Sequence, residues 1–160
     1  MELKDKFKIW QQNINKSPSC QHDLLSSNKL TKMGIDVVAL QEPAINHNNL
    51  SIVAKEWIAV YPSMHSFKPE STRTLILICM QISTEVWNQL EFPSEDVTVV
   101  QLCDSWGKLT IFNVYNEGTS SSTINLLTNY HRDNRLDLES GHTGAAHAIW
   151  LRDFNRHHPA

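Results

Sequence analysis

The sequence predicts an α/β sandwich, in which a mixed β-sheet core is flanked by helices. Continuous apolar runs of β-prone residues at 37–40 and 74–82 are typical of buried strands. Helical spacing appears at Thr123, Leu126, Leu127 and Tyr130, which lie on one face of an amphipathic helix. Strand-like and helix-like segments follow each other without an internal repeat or a long linker, so one domain over residues 1–160 is expected.

The first half of the chain is predicted to contain a strand, a helix and a second strand. Residues 7–13 have the composition of a short strand that ends in polar residues. A helix is expected over residues 22–33, with Gly34 as its C-terminal stop. The apolar segment 36–40 is then expected to be a fully buried strand, and Glu42 follows directly at its carboxyl end.

The second half is predicted to be richer in strands. They are expected at 74–82, 97–102, 109–115 and 145–151. Residues 104–107 have the composition of a hairpin turn between two of these strands. Serines at 120–122 are candidate caps for the helix around Leu126, and the polar, glycine-bearing segment 132–143 is expected to be a loop.

Composition narrows the class of protein and its compartment. The formal charge of −3 provides no chain-wide attraction for phosphate, so a nucleic-acid partner must be argued from local residues. Three dispersed cysteines support neither a disulfide framework nor a zinc cluster, which favours a reducing compartment. The charged amino terminus and the lack of a long apolar run predict an intracellular protein, nuclear or cytoplasmic, without a membrane partner.

Polar side chains follow the apolar interiors of several predicted strands. They are Asn13, Glu42, Tyr115 with Asn116, and Asp153 with Asn155. Taken one at a time, each has an ordinary explanation as a turn, a helix cap or a half-buried sheet residue. Their repeated occurrence at strand ends favours one convergent site, because a sheet fixes positions there while the loops leave access.

Four short motifs at these places resemble one known family. They are Gln-Asn-Ile-Asn (12–15), Leu-Gln-Glu-Pro (40–43), Asn-Val-Tyr-Asn (113–116) and Asp-Phe-Asn (153–155). In this order they resemble the endonuclease/exonuclease/phosphatase superfamily, and residues 150–159 are similar to the apurinic-type endonuclease domains of LINE-like (non-LTR) retrotransposons. The resemblance covers essentially the whole chain. It implies a four-layer sandwich of two β-sheets with helices outside, phosphodiester hydrolysis of DNA, and fusion to or association with a reverse transcriptase region.

The resemblance also implies a role for each site residue. Glu42 corresponds to the carboxylate that holds Mg²⁺ or Mn²⁺, and Asn13 supports it. Asp153 corresponds to the residue that orients or deprotonates the attacking water, with Asn155 as an amide partner. Tyr115 corresponds to a tyrosine whose hydroxyl approaches the scissile phosphate or the leaving oxygen.

The sequence departs from the family pattern in two ways. Arg152 stands where the family has glycine, so an arginine there would crowd the site or strain the turn, or its positive charge would bind phosphate. Family members continue to a carboxy-terminal aspartate and histidine, so the resemblance implies a domain whose C-terminal part is missing. Arg156, His157 and His158 leave a choice between zinc ligands and a phosphate-binding patch.

Three functions stay open: a DNA endonuclease, an inactive remnant acting as a binding module, and a phosphatase or phospholipid phosphodiesterase.

Overall fold

A computed structural model describes residues 6–135, 138 and 145–154. In chain order its strands are β1 (Ile9–Asn13), β2 (Val37–Gln41), β3 (Trp57–Val60), β4 (Thr74–Cys79), β5 (Trp87–Leu90), β6 (Val97–Asp104), β7 (Gly107–Asn116) and β8 (Ala145–Phe154). Its helices are α1 (Pro18–Ser26), α2 (Lys29–Lys32) and α3 (Ser122–Asp133), with a 3-10 turn at Pro69–Ser71. None of the described helices combines the length and the apolar character needed to cross a membrane.

The strands form two mixed sheets of four strands each. The first sheet has the order β1-β2-β4-β3, and the second has the order β5-β6-β7-β8. Each contains one parallel pair, β1 with β2 and β7 with β8, and the remaining neighbours are antiparallel. In both sheets the parallel pair lies at one edge, so the carboxyl ends of all four parallel strands are available to build a shared rim.

Successive side chains point to opposite faces of each strand, and packing on both faces of the two sheets produces four layers. In β2, Val38 and Leu40 pack under the two N-terminal helices against Leu25 and Leu30, whereas Val37 faces the other sheet. On the far side, Leu127 of α3 belongs to the cluster that covers the outer face of the second sheet. Burial of each such aliphatic side chain stabilises the fold by about 1.5–3 kcal/mol. The predicted α/β sandwich is therefore confirmed, with helices outside and two sheets face to face.

The N-terminal helix differs from the prediction of residues 22–33. It begins at Pro18, because the Ser17 hydroxyl accepts a hydrogen bond from the Cys20 backbone at 3.3 Å and proline suits the first helical turn. It is interrupted at Asn28, whose φ of 51° is left-handed. Gly34 has a φ of 66° just after α2, so the predicted glycine stop is confirmed.

Two short strands, β3 and β5, were not predicted from the sequence. Each has only four residues and lies at the outer edge of its sheet, too short to show a clear alternation. Their pairing with β4 and β6 makes them strands. The predicted loop at 132–143 is wrong at its start, where α3 continues to Asp133, and most of it lies outside the described residues.

The predicted hairpin at 104–107 is confirmed. Asp104 pairs with Gly107, which leaves a two-residue turn between β6 and β7. Gly107 has a φ of 132°, and a Cβ built there would lie 2.3 Å from the carbonyl oxygen of Ala145. Glycine therefore allows β8 to start its parallel pairing with β7 at this point.

A buried amide connects the two sheets. Asn113, on β7, is fully buried and donates from Nδ2 to the backbone carbonyls of Leu40 and Leu75, each at 2.9 Å. Its Oδ1 accepts a hydrogen bond from Nε2 of buried Gln41 at 2.5 Å. Because these bonds are directional, they fix where the second sheet sits on the first, next to the carboxyl ends of the parallel strands.

We expect Asn113→Leu to lower the free energy of unfolding by about 2–4 kcal/mol, because it leaves the Gln41 amide buried without its partner. The measurement is urea denaturation. The matched control is Thr74→Val with Thr98→Val, whose buried hydroxyls lie 2.8 Å apart between the same sheets. Since both partners of that bond are removed together, the control should lose less than about 1 kcal/mol. Equal losses in the two proteins would contradict the linking role of Asn113.

Candidate active site

Four of the five predicted site residues lie together at one rim of the sandwich. Asn13 is the last residue of β1, and Glu42 directly follows β2. Tyr115 and Asp153 are register partners on the parallel strands β7 and β8. The fifth predicted residue, Asn155, lies outside the described residues, as do Arg156, His157 and His158. β8 continues through Phe154, so Asp153 lies within a strand and not after it.

Asp153 is held by a residue of the opposite sheet. The Asn13 side chain donates a hydrogen bond from Nδ2 to Asp153 Oδ2. Its Oδ1 accepts from the backbone N–H of Asn15 at 2.7 Å, which fixes the orientation of the amide. The contact therefore joins β1 to β8, and it presents the Asp153 carboxylate in one orientation.

Arg152, in contrast, lies on the other face of β8. Successive side chains alternate across a strand, so Arg152 shares the α3 side with Trp150, whereas Leu151 packs in the core between the sheets. Together with His131 and Leu127, Arg152 lines a groove of 550 Å³ between α3 and β8. Arg152 therefore does not crowd the rim beside Asp153, and it lies within a strand and not at a turn. Phosphate binding by Arg152 stays a prediction.

Glu42 has an uncommon backbone conformation. Its φ of 48° is left-handed, which is rare for residues other than glycine, asparagine and aspartate. The conformation is maintained from both sides: the Glu42 N–H donates to the carbonyl of Arg73 at 2.8 Å, and its carbonyl accepts from Lys16 at 2.8 Å. Asn15 and Lys16 also have positive φ values, of 52° and 55°. Such backbone strain clusters at functional sites.

The Tyr115 hydroxyl joins Glu42 to a residue that was not predicted, Arg73. The phenol interacts with both side chains. The Arg73 guanidinium carbon also lies 5.2 Å from the centre of the Tyr115 ring. Burial raises the pKa of Tyr115 above its ordinary value, the nearby Glu42 charge raises it further, and Arg73 acts in the opposite direction. A tyrosine phenol is neutral at physiological pH in any case, and the raised pKa of Tyr115 keeps it neutral to higher pH, so it can donate a hydrogen bond to the Glu42 carboxylate.

Arg73 is itself held by two carboxylates of the second sheet. Its Nε lies 3.2 Å from Asp96 Oδ1, close enough for an ion pair although not aligned as a hydrogen bond, and its Nη1 lies 3.4 Å from Glu117. Burial alone would lower the pKa of Arg73, but these carboxylates outweigh it and the pKa lies above its usual value. Burial raises the pKa of Asp96, and attraction to Arg73 does not fully offset that effect.

Sequence reasoning missed Arg73 because its place depends on strand pairing. Gln41 and Thr74 are opposite each other in the antiparallel pair β2 and β4, so the next residues outward, Glu42 and Arg73, meet at the rim. The available signal was a charged residue directly before a predicted buried strand. Asp96 stands in the same relation to β6.

The donor atoms at the rim are suited to a hard cation. The side chains of Asn13, Glu42 and Asp153 offer only oxygen as ligand atoms, which is the preference of Mg²⁺ and Mn²⁺ and not of zinc. The part of the chain that the structure describes contains no group of three His, Cys, Asp or Glu side chains arranged to hold a metal. A single carboxylate is compatible with Mg²⁺, which keeps several waters. Metal binding by Glu42 stays a prediction.

Two solved structures have this fold. One is the endonuclease domain of TRAS1, a telomere-specific non-LTR retrotransposon, with a TM-score of 0.60 and 11% sequence identity over 80% of this chain and 53% of that chain. The other is the AP endonuclease LMAP from Leishmania major, with a TM-score of 0.57 and 15% identity over 92% of this chain and 54% of that chain. No family model and no curated protein matches the sequence. The chain thus spans about half the length of the structures it matches, and it shares their endonuclease/exonuclease/phosphatase fold.

We expect Glu42→Gln to lower the pKa of Tyr115, because the substitution removes the negative charge that disfavours the phenolate. The measurement is an alkaline titration followed by absorbance near 295 nm in EDTA, with Tyr115→Phe identifying the contribution of this tyrosine. Since the folded-state pKa is raised, the stability from the neutral phenol is complete below the ordinary value near 10 and is lost as pH rises above it. An unchanged midpoint in Glu42→Gln would contradict the contact.

The backbone of Glu42 provides a separate prediction. Glu42→Asn and Glu42→Val both remove the carboxylate, but asparagine tolerates the left-handed region and a β-branched residue does not. Glu42→Val should therefore unfold with about 1–2 kcal/mol less free energy than Glu42→Asn. Thermal or urea denaturation of the two variants is the measurement. Equal stability would show that residue 42 relaxes out of this conformation at no cost.

Proposed function

We propose that this chain, which has the endonuclease/exonuclease/phosphatase fold, hydrolyses phosphodiester bonds in DNA as a metal-dependent endonuclease. The observation that supports the proposal is the convergence of Asn13 and Glu42 from the first sheet with Tyr115 and Asp153 from the second. Both solved neighbours are named as endonucleases, one from a non-LTR retrotransposon and the other an AP endonuclease. By the same resemblance, a reverse transcriptase region, fused or associated, is the proposed partner.

Asp153 is the proposed general base. An ionised carboxylate can only accept hydrogen bonds, so it can orient a water molecule and take its proton. The bond from Asn13 occupies Oδ2 and orients the group. A fixed orientation matters because the water oxygen must approach phosphorus from one direction.

Glu42 is the proposed ligand of Mg²⁺ or Mn²⁺. The described side chains at the rim include four carboxylates, those of Glu42, Asp96, Glu117 and Asp153, against the guanidinium of Arg73. This balance repels a phosphodiester, so additional positive charge is needed before DNA can approach. When bound, the divalent ion supplies that charge and stabilises the charge that develops on the phosphate oxygens.

Tyr115 is the proposed proton donor toward the phosphate or the leaving oxygen. A tyrosine phenol is neutral at physiological pH, and burial and the Glu42 charge raise the pKa of Tyr115 further. A neutral phenol keeps the proton that it needs to donate a hydrogen bond to developing negative charge. The Arg73 guanidinium carbon lies 5.2 Å from the centre of the Tyr115 ring and so restrains the phenol beside Glu42.

The test is a nicking assay on supercoiled plasmid DNA, intact or with abasic sites, in buffer containing Mg²⁺. We expect Glu42→Gln and Asp153→Asn each to lower the nicking rate about 100-fold or more, because each removes a carboxylate from the reaction. Asp23→Asn is the matched control, since it removes an 83% exposed carboxylate from α1. Nicking that persists in EDTA, or in both site variants, would contradict the proposal.

The same assay separates the other functions that the sequence left open. A folded wild-type chain that binds DNA without cutting it would indicate an inactive binding module. Hydrolysis of inositol phosphates or phospholipids, with both DNA substrates left intact, would indicate a phosphatase or lipid phosphodiesterase. Either result would replace the nuclease proposal, and loss of that activity in Asp153→Asn would show whether the same rim is used.

A further inference from the structure

We infer that Arg73 is a positioning residue that holds the Tyr115 hydroxyl against the Glu42 carboxylate. The expected effect on kcat rests on the proposed function, whereas the positioning itself rests only on the contacts of Arg73. It assigns a role to a rim residue that lies in none of the four motifs and in none of the parallel strands.

Arg73 determines where the single phenolic proton of Tyr115 points. A guanidinium has five donors and no acceptor, so Arg73 can interact with the phenol oxygen only on its lone-pair side. The phenolic proton then points away from Arg73, toward the side of the rim on which Glu42 lies. The guanidinium also lies over the aromatic ring, at 5.2 Å, which restrains the ring as well as its hydroxyl.

Arg73 is in turn fixed by both its side chain and its backbone. Asp96 and Glu117 flank the guanidinium at 3.2 and 3.4 Å. The Arg73 N–H donates to the carbonyl of Glu95 at 3.2 Å, and its own carbonyl accepts from Glu42 at 2.8 Å. Arg73, directly before β4 of the first sheet, is thus held by residues that flank β6 and β7 of the second sheet, so it connects the two sheets at the rim.

The charge around Arg73 favours positioning over direct binding of phosphate. Two carboxylates already neutralise the guanidinium, and its side chain is only 29% exposed. A phosphate would have to displace these partners before it could use the same donors. Lysine would keep the charge but lose the planar arrangement of donors that contacts Tyr115, Asp96 and Glu117 together.

The experiment is a double-mutant cycle between Arg73→Met and Tyr115→Phe, measured by kcat and KM in the nicking assay with Mg²⁺. We expect Arg73→Met to lower kcat by about 10- to 100-fold in the wild-type background, with KM nearly unchanged, because Tyr115 loses its orientation. In the Tyr115→Phe background the same substitution should lower kcat by no more than roughly twofold. Equal losses in the two backgrounds would overturn the inference, since Arg73 would then act on the substrate directly.

A spectroscopic measurement tests the same contact without activity. The protein is labelled with 3-fluorotyrosine, and the ¹⁹F resonance of Tyr115 is assigned by its loss in Tyr115→Phe. The resonance should shift in Arg73→Met and also in Arg73→Lys, which keeps the charge for the case in which the methionine variant does not fold. An unmoved resonance in either folded variant would overturn the inference.

Arg132→Met is the matched control for both measurements. Arg132 is 71% exposed on α3 and pairs with its neighbour Asp133, away from the rim. Its replacement should change neither kcat nor the Tyr115 resonance. If the wild-type chain does not nick DNA, the proposed function fails, and the resonance still decides whether Arg73 positions Tyr115.

Discussion

The link between the two sheets through Asn113 is the constraint on which the candidate site depends. Both contacts that define the site, Asn13 with Asp153 and Glu42 with Tyr115, cross from one sheet to the other. Apolar packing between the sheets is non-directional and would tolerate small displacements. The hydrogen bonds of Asn113 to the β2 and β4 backbones do not, so they set the spacing at the end where the rim lies.

The rim combines backbone strain with closely spaced charge. Glu42 is left-handed, and Asp96 stays partly buried even though attraction to Arg73 does not fully offset the effect of burial on its pKa. Neither feature benefits stability by itself, since a strained φ and a buried carboxylate both cost free energy. Glu42 is held in place nonetheless by two backbone hydrogen bonds: its carbonyl accepts from Lys16, and its N–H donates to the carbonyl of Arg73. Residues whose backbone conformation or burial is locally unfavourable commonly lie at functional sites.

Prediction from sequence succeeded where the signal was local. Asn13, Tyr115 and Asp153 were expected at strand ends, and the period of two along each strand is sufficient to direct them to the same side of their sheets. Two residues of the Asn-Val-Tyr-Asn motif have different roles: Tyr115 contacts Glu42, whereas Asn113 connects the sheets. The motif alone could not separate them, because the partner that each side chain meets is supplied by the opposite sheet.

The sequence by itself determined the buried strands, the α/β class, and the polar residues that end or follow the strands, because hydrophobic alternation and capping are local properties of the chain. Only the tertiary structure decided that β2 pairs with β4, and hence that Arg73 lies opposite Glu42. It also decided that β3 and β5 are strands at all. Pairing between distant segments is selected by the packing of the whole chain, and no short stretch of sequence contains that information.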